Sequence, residues 1–139
     1  MKDSHKYIKQ FPSDLKALDQ ILSWFDQLNQ PSIPKKVWLQ YQLALAEGFT
    51  NAVRHAHKDI SSEVSIEIEF TITPQRLELR IWDWGPPFDL EGKLQNLEGQ
   101  IDLKAGGGRG LAILHKISDQ LSYTRTDDNR NCLLIAKSY

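Results

Sequence analysis

The sequence predicts an α+β fold: a single two-layer α/β sandwich whose mixed, mostly antiparallel sheet carries its helices on one face. Three observations lead there. Apolar residues recur at helical spacing over residues 15–29 and again over 38–58. Residues 64–72 and 77–81 alternate apolar with polar on either side of a Thr73-Pro74-Gln75-Arg76 turn. A third helical stripe, Leu111, Leu114, Ile117 and Leu121, precedes two further strand-like runs. Strands grouped as hairpins between helices, without repeated βαβ units, argue for α+β.

Taken in order, residues 5–11 suit a short first strand, and Pro12-Ser13-Asp14 a helix start with Ser13 as N-cap. Leu15, Leu18, Ile21, Leu22, Phe25 and Leu28 form the apolar stripe of a helix running to about Asn29. Pro31 and Pro34 separate it from the next helix, WLQYQLALAEGFTNAVRHAHK, expected to run from Trp38 to near Lys58. Val64, Ile66, Ile68, Phe70 and Ile72 then alternate with Ser65, Glu67, Glu69 and Thr71, and Leu77, Leu79 and Ile81 resume the period, which predicts an antiparallel hairpin. Gly85-Pro86-Pro87 stops the second strand. Residues 88–107 have weak periodicity, and a connection of that length is usually functional or mobile. After the third helix come strands at Ser122–Arg125 and Cys132–Lys137, joined by Asp127-Asp128-Asn129-Arg130. The continuous apolar run from Cys132 to Ala136 suits an interior strand.

The chain has 139 residues, the size of one ordinary domain, so residues 1–139 are expected to form a single unit. Hydrophobic residues make up 40% and charged residues 25%, enough for a core and too apolar for disorder. A net charge of −1 and a pI near 6.4 give no basic excess that would point to nucleic acid or an anionic membrane. The opening MKDSHKYIKQFPSD has no apolar signal core, and no apolar run approaches the ~18 residues of a membrane span, so a cytoplasmic protein is expected. Cys132 is the single cysteine, which excludes an internal disulfide and fits a reducing compartment. His55 and His57, two apart on a helix, point in different directions and make a poor metal pair.

The chemistry lies in three stretches. At roughly 100° per residue, Glu47, Asn51, Arg54, His55 and Lys58 share one helix side, and Trp38, Leu45, Phe49, Ala52 and Ala56 the other. That sets a carboxylate and a carboxamide one turn apart with cations beside them; a solvated helix face is the bland alternative. Second, the strand period puts Asp83 on the core side with Leu77, Leu79 and Ile81, where a carboxylate is costly unless satisfied. Its partner is either a structural donor or a ligand. Third, Gly106-Gly107-Gly108-Arg109-Gly110 opens a helix, where free backbone N–H groups meet the positive end of the helix dipole and suit an anion such as phosphate. A flexible hinge is the alternative there. The run is not a P-loop, because the GK[ST] ending is missing.

Together, Glu47-x-x-x-Asn51, Asp83-x-Gly85 and Gly106 to Leu111 resemble the ATP-binding fold shared by DNA gyrase, a class of heat-shock chaperones, sensor histidine kinases and the MutL mismatch-repair proteins (the Bergerat-type fold). The phrases ALAEGFTNAVRHA, DWGPPFD and GGGRGLAIL, and the helix before the Asn51 helix, look most like one branch: the anti-sigma-factor serine kinases, small bacterial regulators of partner-switching systems. The resemblance spans about residues 5–137. It implies ATP and Mg²⁺ as cofactors, with Asn51 ligating the metal through its side-chain oxygen and Glu47 acting as general base towards a partner's serine or threonine. It further implies that Asp83 accepts a hydrogen bond from the adenine amino group and that Gly85 leaves room for the base. Gly108, Arg109, Gly110 and Leu111 would sit at the phosphates, residues 88–107 would form a lid, and His55 and Arg54 would support. Pro87 stands where many relatives have a second glycine, and Ala56 where glycine is common.

The resemblance therefore implies an enzyme, a serine/threonine-protein kinase that phosphorylates an antagonist protein and sequesters a sigma factor, without direct contact to nucleic acid or membrane. The alternative is a non-catalytic module in which ATP only shapes a protein-binding surface. A detached histidine-kinase catalytic domain ranks lower, since the chain has no room for a dimerisation and phosphoacceptor helix pair. Relatives are often homodimers, for which the exposed face of residues 5–30 would serve.

Overall fold

Alternation along the strands is resolved into a sheet with one dry and one wet face. The structure is a computed structural model that describes residues 4–86 and 106–139, the side chains of 106–111 excepted. In chain order it comprises β1 (His5–Pro12), a tight 3-10 turn (Leu15–Ala17), α1 (Leu18–Asp26), α2 (Lys35–Asn51), a π-helical turn (Ala52–Ala56), β2 (Ser65–Thr73), β3 (Arg76–Asp83), α3 (Gly106–Ile117), β4 (Gln120–Arg125) and β5 (Asn131–Ser138). The five strands lie in the order β1-β2-β3-β5-β4. The α+β layering is the expected one. Every pairing among the described strands is antiparallel, so the expected parallel component has no counterpart there. β2–β3 and β4–β5 are joined directly by turns, whereas β1–β2 and β3–β5 are joined through the helices. β5, the strand with the unbroken apolar run, is interior, between β3 and β4.

Ile66, Ile68, Phe70 and Ile72 of β2, Leu77, Leu79 and Ile81 of β3, and Leu133 and Ile135 of β5 form the dry face. The helices bury Ile21, Phe25, Trp38, Tyr41, Leu45, Phe49 and Leu114 against them. Phe25 stacks on Trp38 with centroids 4.1 Å apart and meets the edge of Phe70 at 4.8 Å, which locks α1, α2 and β2 together. On the wet face the polar half of the alternation pairs with itself: Glu69 lies 3.6 Å from Lys6 and 3.5 Å from Arg80, and Glu78 lies 3.0 Å from both Arg80 and Arg76. The Glu69 pairs cross strands and hold register more than they add stability, while the Glu78 pairs run along β3 itself.

Three expectations change in detail. Ser13 is not the cap; Asp14 caps the 3-10 turn that leads into α1, its carboxylate accepting the Lys16 N–H at 2.9 Å. Ser13 is instead buried and tied to residues far along the chain. α1 ends at Asp26, because the Leu28 and Asn29 N–H groups close tighter turns onto Phe25 and Asp26. The helix expected to reach Lys58 ends its regular α geometry at Asn51, and a π-helical turn follows.

α2 lies close on the sheet at Gly48. A Cβ there would stand 2.6 Å from Ile81 Cδ1 and 3.3 Å from Leu133 Cδ2, so the glycine lets the turn carrying Glu47 sit directly over β3 and β5. Two turns earlier, the fully buried Tyr41 donates its hydroxyl proton to Leu77 O at 2.8 Å, with Ile135 O at 3.3 Å. Burial raises the Tyr41 pKa far above that of a free phenol, so the group remains a donor. Tyr41→Phe is expected to lower the unfolding free energy by about 0.5–1.5 kcal/mol at unchanged m-value, since one buried bond is lost while the ring stays. Urea unfolding measures it, and an unchanged midpoint would show that this bond contributes nothing.

Candidate functional site

Glu47 and Asn51 lie one turn apart on α2, both half-buried, as their spacing predicts. The Asn51 amide has one buried end, Nδ2, without a hydrogen-bond partner among the described residues. Native structures rarely leave a buried amide unpaired, so this N–H donor has capacity for an acceptor beyond the described residues. Beyond Asn51 the helix widens: the His57 N–H bonds back five residues to Ala52 O at 2.8 Å. A single π-type turn of this kind is frequent at functional sites. It leaves Arg54 and His55 exposed and turns His57 inwards.

His57 fastens three segments together. Its Nε2 accepts the Trp84 N–H at 2.8 Å. A backbone N–H can only donate, so Nε2 is unprotonated and the ring proton sits on Nδ1, 3.1 Å from Ser13 Oγ, to which it donates. Burial lowers the His57 pKa below the ordinary 6.5, against the opposing pull of the Asp83 carboxylate. The imidazole is therefore neutral, and it holds the end of β3 against the π turn and the end of β1.

Asp83 ends β3 as predicted, 3% exposed on the core side. Both of its oxygens are engaged by the protein. Oδ1 accepts the Gly85 N–H and an Asn131 Nδ2 proton, each at 2.9 Å, and Oδ2 accepts the Tyr123 hydroxyl at 2.5 Å. Of the two explanations left open for this carboxylate, structural donors are thus present. Asn131 also donates to Gly85 O at 2.9 Å and Pro86 O at 3.2 Å. Arg125 Nη1 donates to Gly85 O at 2.9 Å and to Asn131 Oδ1 at 3.3 Å. Burial, and then the bond to Asp83, raise the Tyr123 pKa well above its ordinary value, so its proton stays in place. On the other side of the turn Trp84, 44% exposed, and Trp82 both lie against the Arg130 guanidinium, at 5.6 and 5.4 Å.

Gly85 has a structural reason visible here. A Cβ on it would stand 2.5 Å from Ala56 O and 2.8 Å from Ala56 Cβ. The glycine makes room for the π turn, and this contact brings the Asp83 turn to the end of the Asn51 helix. α2 also packs against α3, whose first five residues are Gly106-Gly107-Gly108-Arg109-Gly110. The glycine run is thus the first turn of the helix itself. Residues 87–105, and with them Pro87 and most of the expected lid, lie outside the described residues, as do the side chains of Arg109 and Leu111. Among the described residues no group of three His, Cys, Asp or Glu side chains could hold a metal ion alone. No described helix is long and apolar enough to cross a membrane.

Five residues that sequence reasoning missed complete this end of the sheet: Ser13, His57, Tyr123, Arg125 and Asn131. A signal existed for Asn131, which pairs directly with Asp83 in the β3–β5 register, so extending the last strand by one residue would have found it. Tyr123 and Arg125 share the inward side of β4 with Leu121, an alternation that was available too. Nothing local announces His57, because a regular helix would not aim it inwards.

The chain is similar to known proteins over most of its length. The family described as Histidine kinase-like ATPase domain matches residues 11–137. Serine-protein kinase RsbW of Bacillus licheniformis is 31% identical over 85 residues, covering 58% of this chain and 53% of the relative. The protein of that name in Bacillus subtilis (strain 168) is 36% identical over 86 residues, covering 58% and 52%. Its counterpart in Staphylococcus epidermidis is 33% identical over 86 residues, covering 58% and 54%. The chain thus spans about half the length of the curated relatives it matches.

The neutral His57 has a consequence for stability. Its pKa is depressed in the folded state, so the unfolded chain takes up a proton first as pH falls below about 6.5. The stabilisation is complete above that pH and is lost as pH drops towards the folded value. The urea midpoint of the parent is expected to fall between about pH 7.5 and about pH 5.5, and to fall less in His57→Asn, which lacks the titrating group. Parallel curves for the two proteins would remove His57 from the titration.

Proposed function

Because the chain belongs to the histidine kinase-like ATPase domain family, we propose that it is an ATP-binding regulatory protein kinase that phosphorylates a serine or threonine of an antagonist protein and sequesters a sigma factor. One observation carries the proposal: the helix that bears two of the predicted site residues is in contact with the elements that bear the others. Glu47 and Asn51 lie on that helix, the Asp83–Gly85 turn packs against its π-helical extension, and the glycine-rich start of α3 belongs to the helix packed beside it. That is the layout expected of a base pocket, a metal-phosphate position and a phosphate-binding helix start. The relatives' name, serine-protein kinase, supports phosphoryl transfer.

In this proposal Asp83 takes the adenine amino group. The backbone N–H groups that the first turn of α3 leaves free, those of Gly106 to Gly108, suit the phosphates, with Arg109, Gly110 and Leu111 just behind them in the same helix. The Asn51 side-chain oxygen is the ligand to a phosphate-bound Mg²⁺ in this reading, and the unpartnered Nδ2, which can only donate, fits an acceptor such as a phosphate oxygen. The lack of a three-residue acidic or imidazole group among the described residues is compatible with that ion, which takes phosphate and water oxygens and only one or two protein ligands. The chemistry a bound Mg²⁺ supplies is neutralisation of phosphate charge. Glu47 holds the partner's hydroxyl and takes its proton as the hydroxyl oxygen bonds to the terminal phosphorus and the bond from that phosphorus to the ADP oxygen breaks. His55, exposed one turn beyond Asn51, has a supporting role only.

Two substitutions separate binding from transfer. Asn51→Ala should weaken Mg²⁺-ATP by at least about tenfold in a calorimetric titration while leaving the melting temperature close to that of the parent. Equal affinities would take Asn51 out of the site. Glu47→Gln should bind ATP like the parent and transfer labelled phosphate to a co-purified partner about 10²–10⁴-fold more slowly. Transfer at the parent rate would mean that Glu47 is not the base.

A further inference from the structure

An ionised carboxylate offers about four lone-pair positions, two on each oxygen. In Asp83, protein donors fill three. The Gly85 N–H and the Asn131 amide take both positions on Oδ1, and the Tyr123 hydroxyl takes one on Oδ2. One position remains among the described residues, and it is on Oδ2. Asp83 is also prevented from turning to offer a different pair, because its donors come from three separate segments: the turn after β3, β4 and β5.

We propose that Asn131 and Tyr123 are specificity-determining residues, which make Asp83 a single-acceptor site and thereby set its preference among purines. The inference rests on the nucleotide reading of the site and goes beyond it to residues that need not touch the base. Adenine presents one amino group at its six position, and one free acceptor satisfies it. Guanine presents its ring N–H and its two-amino group side by side. Those paired donors match a carboxylate with a free position on each oxygen, as a guanidinium does. With Oδ1 filled, only one of the two guanine donors finds a partner and the other is buried unpaired, which is the costly outcome. Asn131 is the main determinant, because it occupies the oxygen that guanine would need. Tyr123 holds the carboxylate in place and limits Oδ2 to one further bond.

The test is competition of ATP and GTP against a fluorescent nucleotide analogue for the parent, Asn131→Val and Tyr123→Phe, with thermal melts to confirm folding. The ratio of the two affinities is the readout, because loosening of the turn would weaken both nucleotides alike. The parent should prefer ATP by at least about tenfold. Asn131→Val should narrow that preference severalfold by freeing a position on Oδ1, and Tyr123→Phe should narrow it to a smaller degree. Should the valine variant fail to fold, Tyr123→Phe, which loses a single oxygen, still decides. Preference retained in the folded variants overturns the assignment while leaving the nucleotide site intact. A parent that binds neither nucleotide overturns the site and this inference together.

Discussion

A buried carboxylate at the end of β3 is the constraint on which this end of the molecule depends. Asp83 is held at 3% exposure, and an isolated charge so placed would be prohibitive in an apolar interior. It is tolerated because Gly85, Asn131 and Tyr123 all donate to it. Those donors arrive from the following turn and from two other strands, so satisfying one side chain fixes the relative position of β3, β4 and β5 at their common end. Arg125 then closes the network through Gly85 O and Asn131 Oδ1. A network in which each member has its partner is rigid, and a rigid acceptor can discriminate between ligands.

The second constraint is the π turn after α2. It has two effects at once. It rotates His57 inwards, where the neutral ring links Ser13 to the Trp84 N–H. It also brings the Ala56 carbonyl so close to residue 85 that only glycine fits. The Asp83 turn is thereby seated against the helix that carries Glu47 and Asn51. Two otherwise separate features, the turn after a carboxylate at a strand end and the helix that carries a polar stripe, are brought together through one irregular turn. Gly48 contributes from the other direction by letting α2 settle onto Ile81 and Leu133.

Most of the fold was legible in the sequence because it follows from periodicity. The β2–β3 hairpin, the core face of Leu77, Leu79, Ile81 and Asp83, and the interior position of Cys132–Ala136 all follow from an alternation that burial enforces. What escaped are features that tertiary contact decides. Ser13 has the chemistry of an N-cap, and Asp14 won that role because Ser13 was committed to His57 and, through its backbone, to Ser62. The helical wheel is sound only as far as Asn51, since a π turn shifts every later side chain. Of the predicted site, Glu47, Asn51, Asp83 and Gly85 are where the spacing put them, but the partners of Asp83 come from β4 and β5, more than 35 residues further along the chain. The alternation of β4 and β5 was visible, but only the order and register of the strands bring those residues to Asp83.

The central claim is that the Asn51 helix, the Asp83 turn and the glycine-rich start of α3 form one nucleotide site. Titration of ¹⁵N-labelled protein with Mg²⁺-ATP, followed by amide NMR, tests it most directly. The Asn51 side-chain amide and the backbone amides of Gly85, Gly108 and Gly110 should shift together along one binding curve, while those of Tyr7 and Ile8 on the far edge strand stay unmoved. Shifts confined to one of the three stretches, or none at saturating nucleotide, would contradict it.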